Sequence, residues 1–227
     1  MRIKRDFFLQ PTLKVAKDLL GQYVVRSYKG NLIIGKIVET EAYIGPKDKA
    51  SHAYCAKEQP TGQKKKVLFR NWSKIKNHIQ DKENFLKRIL KLKHAKVTKR
   101  NLAEYLKGGH IYIYLVYGIY YQFNITTYKE GYPECVLIRS LEPISNSKKL
   151  NLNISNGPGK LCRFLKLDNS FWAEDLCQSK RIWISNGKKI SSSEIIKSKR
   201  IGIEYAQEHS KLLWRFYIRG NKWVSKV

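Results

Sequence analysis

The stretch GHIYIYLVYGIYYQFNIT, Gly109–Thr126, decides how the rest of the chain is read. Apolar and aromatic residues alternate on both sides of Tyr117-Gly118, the pattern of two antiparallel strands joined by a tight turn. A two-residue turn would pair Val116 with Ile119 and mix polar and apolar side chains on both faces. A three-residue loop, Val116-Tyr117-Gly118, with Gly118 in the left-handed region, separates them. One face then carries Ile111, Ile113, Leu115, Ile119, Tyr121, Phe123 and Ile125. The other carries Tyr112, Tyr114, Tyr120, Gln122 and Asn124, and Tyr117 stands at the tip. A one-residue slip would exchange the faces, so the register giving one clean apolar side is the expected one. Two readings of the tyrosine face stay open. It is the amphipathic side of an ordinary sheet, or it is a pocket for a flat heterocycle, with the tip ring a wedge between stacked bases.

Composition bears on that choice. The chain has 227 residues, enough for one domain with its own core, and a formal net charge of +27. Such a charge calls for a polyanionic partner. MRIKRDFFLQ lacks the apolar run of a signal peptide, and no stretch is long enough to span a bilayer, so an intracellular protein with no membrane partner is expected. Cys55, Cys135, Cys162 and Cys177 are scattered without CxxC spacing and read as reduced thiols, mostly core filler.

From the N-terminus, Pro11–Gly21 reads as a short helix, followed by strands at Gln22–Tyr28 and Leu32–Ile44. In the second strand Glu39, Glu41 and Tyr43 share one face, opposite Val38, Thr40 and Ala42. Acids inside an apolar strand of so basic a protein have either a buried ion pair or a chemical task. His52 follows in DKASHAY, as a structural residue or a functional one. Glu41, Asp48 and His52 match no usual metal-ligand spacing. Residues 58–97 are dense in lysine. Ile75, Ile79, Phe85, Leu86, Ile89 and Leu90 recur there at helical spacing, predicting two short basic helices that are either a solvated excursion or a nucleic-acid grip.

Beyond the hairpin, ECVLIRSLEP reads as a strand with Arg139 on the same side as Leu137 and Leu141. A guanidinium there needs an anion, and Glu41 is the natural partner, with room for one water between them. NGPGKLCRFL places Gly157, Pro158 and Gly159 before a helix starting near Lys160, offering N–H groups and a lysine to a phosphate. RIGIEYA at Arg200–Ala206 reads as a strand, and LLWRFYIRGNKWVS as a strand pair turning at Arg219-Gly220-Asn221.

VETEAYIGPKDKASH, GGHIYIYLVYGIYYQFN, VLIRSLEP, GPGKLC and RFYIRGNKWVS, in that order, resemble the alkyladenine (3-methyladenine) DNA glycosylase family of base-excision repair. The resemblance implies one α+β domain over residues 1–227, a curved, mostly antiparallel sheet flanked by helices, with a protruding hairpin; the sequence departs from that pattern by a basic helical segment inserted at about 58–97. The resemblance also implies that Glu41 is the general base and that Arg139 helps hold the attacking water. Tyr43, His52 and Tyr114 would sandwich the flipped base, Asn124 would obstruct guanine's exocyclic amine, and Tyr117 would fill the gap in the duplex. By the reading of the helix start given above, and not by the resemblance, Lys160 and Gly159 would meet the DNA backbone. The implied partner is double-stranded DNA containing damaged purines, bound by a monomer needing neither metal nor cofactor. Two rival classes remain: a non-catalytic basic nucleic-acid-binding module, which gives Glu41 and Arg139 no task, and a metal-dependent nuclease built on Glu41, Asp48 and His52.

Overall fold

The computed structural model describes residues 1–144 and 151–226. The strands are β1 (Tyr23–Tyr28), β2 (Asn31–Ile44), β3 (Ile111–Val116), β4 (Tyr120–Thr126), β5 (Glu134–Ile144), β6 (Ile182–Ser185), β7 (Ile195–Ser198) and β8 (Arg215–Ile218). They form one eight-stranded sheet along the path β3-β4-β5-β2-β1-β6, with β8 joined to β2 and β7 to β8, and every pairing is antiparallel. The helices are α1 (Arg5–Phe8), α2 (Thr12–Asp18), α3 (Thr61–Arg70), α4 (Trp72–Ile75), α5 (Lys82–Lys91) and α6 (Pro158–Phe164). The architecture is α+β, and among the described residues no helix is long and apolar enough to cross a membrane.

Alternation in the strands divides the molecule into two layers. Val38, Ala42, Ile111, Ile113, Phe123, Ile125, Val136 and Ile138 face a core shared with Val15, Ala16 and Leu19 of α2 and Leu161 and Cys162 of α6. The opposite face carries Tyr112 and Cys135, which join a second apolar cluster with Leu68, Ile75, Phe85 and Ile89. The basic segment is therefore not a solvated excursion. Its helices cap the tyrosine side of the sheet, and α3, α4 and α5 replace the two helices expected there.

The hairpin has the predicted faces but a register moved by two residues. Val116 pairs with Tyr120, so the loop is Tyr117-Gly118-Ile119 rather than Val116-Tyr117-Gly118. Tyr117 and Gly118 have φ of 53° and 71°, and the Ile119 N–H donates to the Val116 carbonyl. This turn carries Ile119 out of the apolar face, leaving it 67% exposed. A shift of two preserves parity, which is why the face assignment survives it.

Two C-terminal expectations are corrected. Arg200–Ala206 is not a strand; it leads by a turn into a 3₁₀ segment at Glu204–Lys211. Only Arg215–Ile218 of the last stretch is a strand, and its neighbours are β2 and β7. After Gly220, the Asn221 side chain accepts from the Trp223 N–H at 2.9 Å, which turns the chain inward and buries Trp223 in the main core.

Candidate active site

A row of paired residues crosses four strands and sets the floor of a cleft. Tyr112 opposes Asn124, Asn124 opposes Leu137, and Leu137 opposes Glu41, so all four project from the same face. The cleft encloses about 290 Å³, and its lining includes Tyr43, His52, Tyr112, Tyr114, Asn124 and Arg139.

Glu41 is fully buried directly behind that lining. Its Oε2 accepts from the Tyr43 hydroxyl at 2.8 Å and lies 3.3 Å from Arg139 Nη1, and its Oε1 accepts from the Ile201 N–H at 2.8 Å. The Glu41–Arg139 contact is direct, closer than a water between the two would allow. Because Arg200–Ala206 is not a strand, the Ile201 N–H is free of any ladder and bonds the carboxylate. Arg139 also donates from Nε to Glu39 Oε1 at 3.2 Å, and Arg215 meets the same oxygen at 2.8 Å. Burial alone would lower the Arg139 pKa, but Glu41 and Glu39 outweigh it and raise it, so the guanidinium stays charged. Burial and the Glu41 charge push the Tyr43 phenol well up, which keeps it a proton donor to the carboxylate.

The rings of the cleft are uncharged. His52 packs edge-on to Tyr114 with centroids 4.6 Å apart, and its Nδ1 lies 2.7 Å from the Tyr112 hydroxyl. Burial, with Arg100 and Lys96 nearby, lowers the His52 pKa to about 4, so near neutrality its imidazole is neutral. Asn124 spends its amide N–H groups on the Tyr112 and Gln122 carbonyls, at 3.1 and 3.2 Å. That fixes the carboxamide and leaves its oxygen on the cleft side, 3.9 Å from Cys135 Sγ.

The remaining expected residues lie beyond the mouth. Tyr117 is 90% exposed at the hairpin tip. Helix α6 begins at Pro158, two residues before the expected start, and residues 157–160 line a shallow groove with Tyr117 and Tyr120. A Cβ on Gly159 would sit 2.8 Å from the Tyr120 ring, so glycine is what lets this loop press against the hairpin. Lys160 Nζ bonds the Asn156 and Asn153 side-chain oxygens at 3.1 and 3.3 Å. Asp48, weighed with Glu41 and His52 as a metal set, instead forms a fully buried pair with Arg200. Among the described residues no three His, Cys, Asp or Glu side chains cluster as a metal site.

Sequence reasoning missed Glu104 and Cys135, which both line the cleft. Glu104 sits in a 3₁₀ turn, Leu102–Tyr105, with no strand alternation to indicate its direction. An acid within the apolar run LAEYL was the one available signal.

Three relatives named as 3-methyladenine DNA glycosylases align along nearly their whole length. The one from Clostridium tetani is 39% identical over 242 residues, covering 100% of both chains. The one from Natranaerobius thermophilus is 36% identical, covering 99% of each, and that from Borreliella burgdorferi B31 is 37% identical, covering 98% of each. The family model of methylpurine-DNA glycosylases matches residues 6–77 and 91–222, leaving residues 78–90, inside the basic segment, unmatched. With a match of that extent, on a chain that brings Glu41, Arg139 and an aromatic cleft together, the protein belongs to the methylpurine-DNA glycosylase family.

Proposed function

We propose that the protein takes alkylated or deaminated purines, such as 3-methyladenine, 7-methylguanine, hypoxanthine and ethenoadenine, out of duplex DNA and hydrolyses their N-glycosidic bond. A water activated by Glu41 attacks, and an abasic site remains. The observation that carries this reading is the seat of Glu41: a buried carboxylate, gripped by Arg139, Tyr43 and the Ile201 N–H, behind a cleft whose rings suit a flat base.

Extruding a nucleotide costs on the order of a few kcal/mol. Tyr117 offsets part of that by occupying the vacated place in the stack. A cationic alkylated purine is attracted by electron-rich rings and leaves without an acid, so one carboxylate serving as base suffices, where ordinary glycoside hydrolysis needs two. The restrained Asn124 carboxamide disfavours undamaged guanine by standing where its exocyclic amine would lie; 7-methylguanine carries the same amine, and its release relies on the positive charge that weakens its glycosidic bond.

The test is incubation of the protein, in EDTA, with a duplex carrying a single hypoxanthine or a methylated purine, followed by alkaline cleavage. Wild-type protein is expected to release free base. Glu41→Gln should retain lesion binding and lose about 10²–10⁴-fold in rate, the usual contribution of a general base. Excision by that variant at the wild-type rate would remove Glu41 from the role.

A further inference from the structure

Among the described residues, the buried carboxyl groups around the cleft have cationic partners, and Glu130, away from it, accepts from the Gln80 and Asp81 N–H groups instead; Glu104 has neither. Glu39 meets Arg139 and Arg215, Glu41 meets Arg139, and Asp48 meets Arg200. Glu104 is only 1% exposed and lines the cleft, yet among the described residues no cation reaches it. Its Oε1 is 3.4 Å from both Ser51 Oγ and Cys135 Sγ, and its Oε2 has no hydrogen-bond partner. Cys135 Sγ in turn lies 3.9 Å from Asn124 Oδ1, so Glu104 and the Asn124 carboxamide share one part of the floor.

We propose that Glu104 is a second functional carboxyl of this site, donating its proton to the edge of a bound neutral purine and so assisting departure of bases that carry no charge of their own. This rests on the glycosylase reading above. A protonated carboxyl presents one O–H donor and one acceptor, and its proton is far more readily given up than that of the tyrosines beside it. Its surroundings favour that form. Burial, with Asp48 and Glu134 as nearby negative charges and despite the hydrogen bonds from Cys135 and Ser51, raises its pKa to about 8. The other titratable groups near it are Tyr105, Tyr112 and Tyr114, whose phenols are themselves pushed up and stay neutral. A carboxyl that holds its proton can serve as the acid of a site whose base is another group.

The step balances. As the C1′–N9 bond breaks, its electron pair goes to the purine, and the Glu104 proton passes to an acceptor atom on the purine edge. The water oxygen bonds C1′ and gives its proton to Glu41. Once the base departs, Glu104, left as a carboxylate, recovers a proton from solvent, and Glu41 releases to solvent the proton it took from water. A cationic purine already carries the charge that this transfer supplies.

Single-turnover release of hypoxanthine and of 3-methyladenine, each against an enzyme-free control, tests this from pH 6 to 10. For the wild type, the ratio of hypoxanthine to 3-methyladenine rates is expected to fall about tenfold per unit above pH 8, a readout that needs no mutation. In Glu104→Gln, with folding verified by its melting temperature, that ratio should be lower by about 10²-fold near neutrality and lose its pH dependence. A flat wild-type ratio, or equal losses on both lesions in the variant, overturns the role of Glu104 while leaving the glycosylase reading intact. Release of neither base by the wild type overturns both.

Discussion

Glu41 and Glu104 lie in one protein interior, but only Glu41 has a guanidinium beside it. That difference has a consequence for stability. Folded Glu104 keeps its proton to about pH 8, whereas the unfolded chain releases it near pH 4.5. Between those values the folded state binds the extra proton, so the contribution of this group to stability falls as pH rises, by about 1.4 kcal/mol per unit. His52 acts in the opposite sense. Its pKa is lowered from 6.5 to about 4, so the unfolded state binds the extra proton in that range and stability falls as pH drops. Melting temperatures at pH 5 and pH 8 check the first effect: Glu104→Gln should gain on the wild type at pH 8 relative to pH 5. A constant difference between the two proteins would show that Glu104 does not hold its proton. Glu41 and Arg139 were legible in the sequence because a charge in an apolar strand is conspicuous. Glu104 and the Ile201 N–H were not, because their roles depend on which distant groups they meet.

At the scale of elements, the hairpin is the part whose form follows most directly from its letters. Alternation gives its faces, Gly118 gives the positive φ its turn requires, and the tip ring is left without a partner. Since Tyr117 is 90% exposed, truncation removes little packing. Tyr117→Ala should therefore leave the melting temperature within about 2 °C, while weakening affinity for a lesion duplex by about tenfold or more, in keeping with the 1–3 kcal/mol of one base–aromatic stack. Titration of a labelled duplex measures this, and wild-type affinity in the variant would refute the wedge. Strand β8 was harder to read. It takes the edge of β2 at Glu39–Glu41, while β1 takes Asn31–Lys36, with an irregularity between the two. Local sequence signals hairpins, in which neighbours in the chain pair, and β8 pairs with a strand some 170 residues away.

For the molecule as a whole, the net charge of +27 predicts affinity dominated by phosphate contacts. If six to ten phosphates are neutralised, binding to undamaged duplex should weaken by about 10³–10⁵-fold between 50 and 200 mM salt. Base release from a saturated complex should change far less, because the buried Glu41–Arg139 pair is screened little. A binding constant insensitive to salt would argue that the charge serves something other than DNA. The amino-acid sequence by itself determined the faces of the strands, the solitary ring at the hairpin tip and the acid–arginine pair, because side-chain alternation has a period of two and charge is a property of single residues. Only the tertiary structure decided that the basic helices cap the tyrosine face, that a loop N–H completes the grip on Glu41, and that Glu104 faces the cleft without a cation. Those outcomes depend on which surfaces pack together across long separations in the chain, and no local pattern records them.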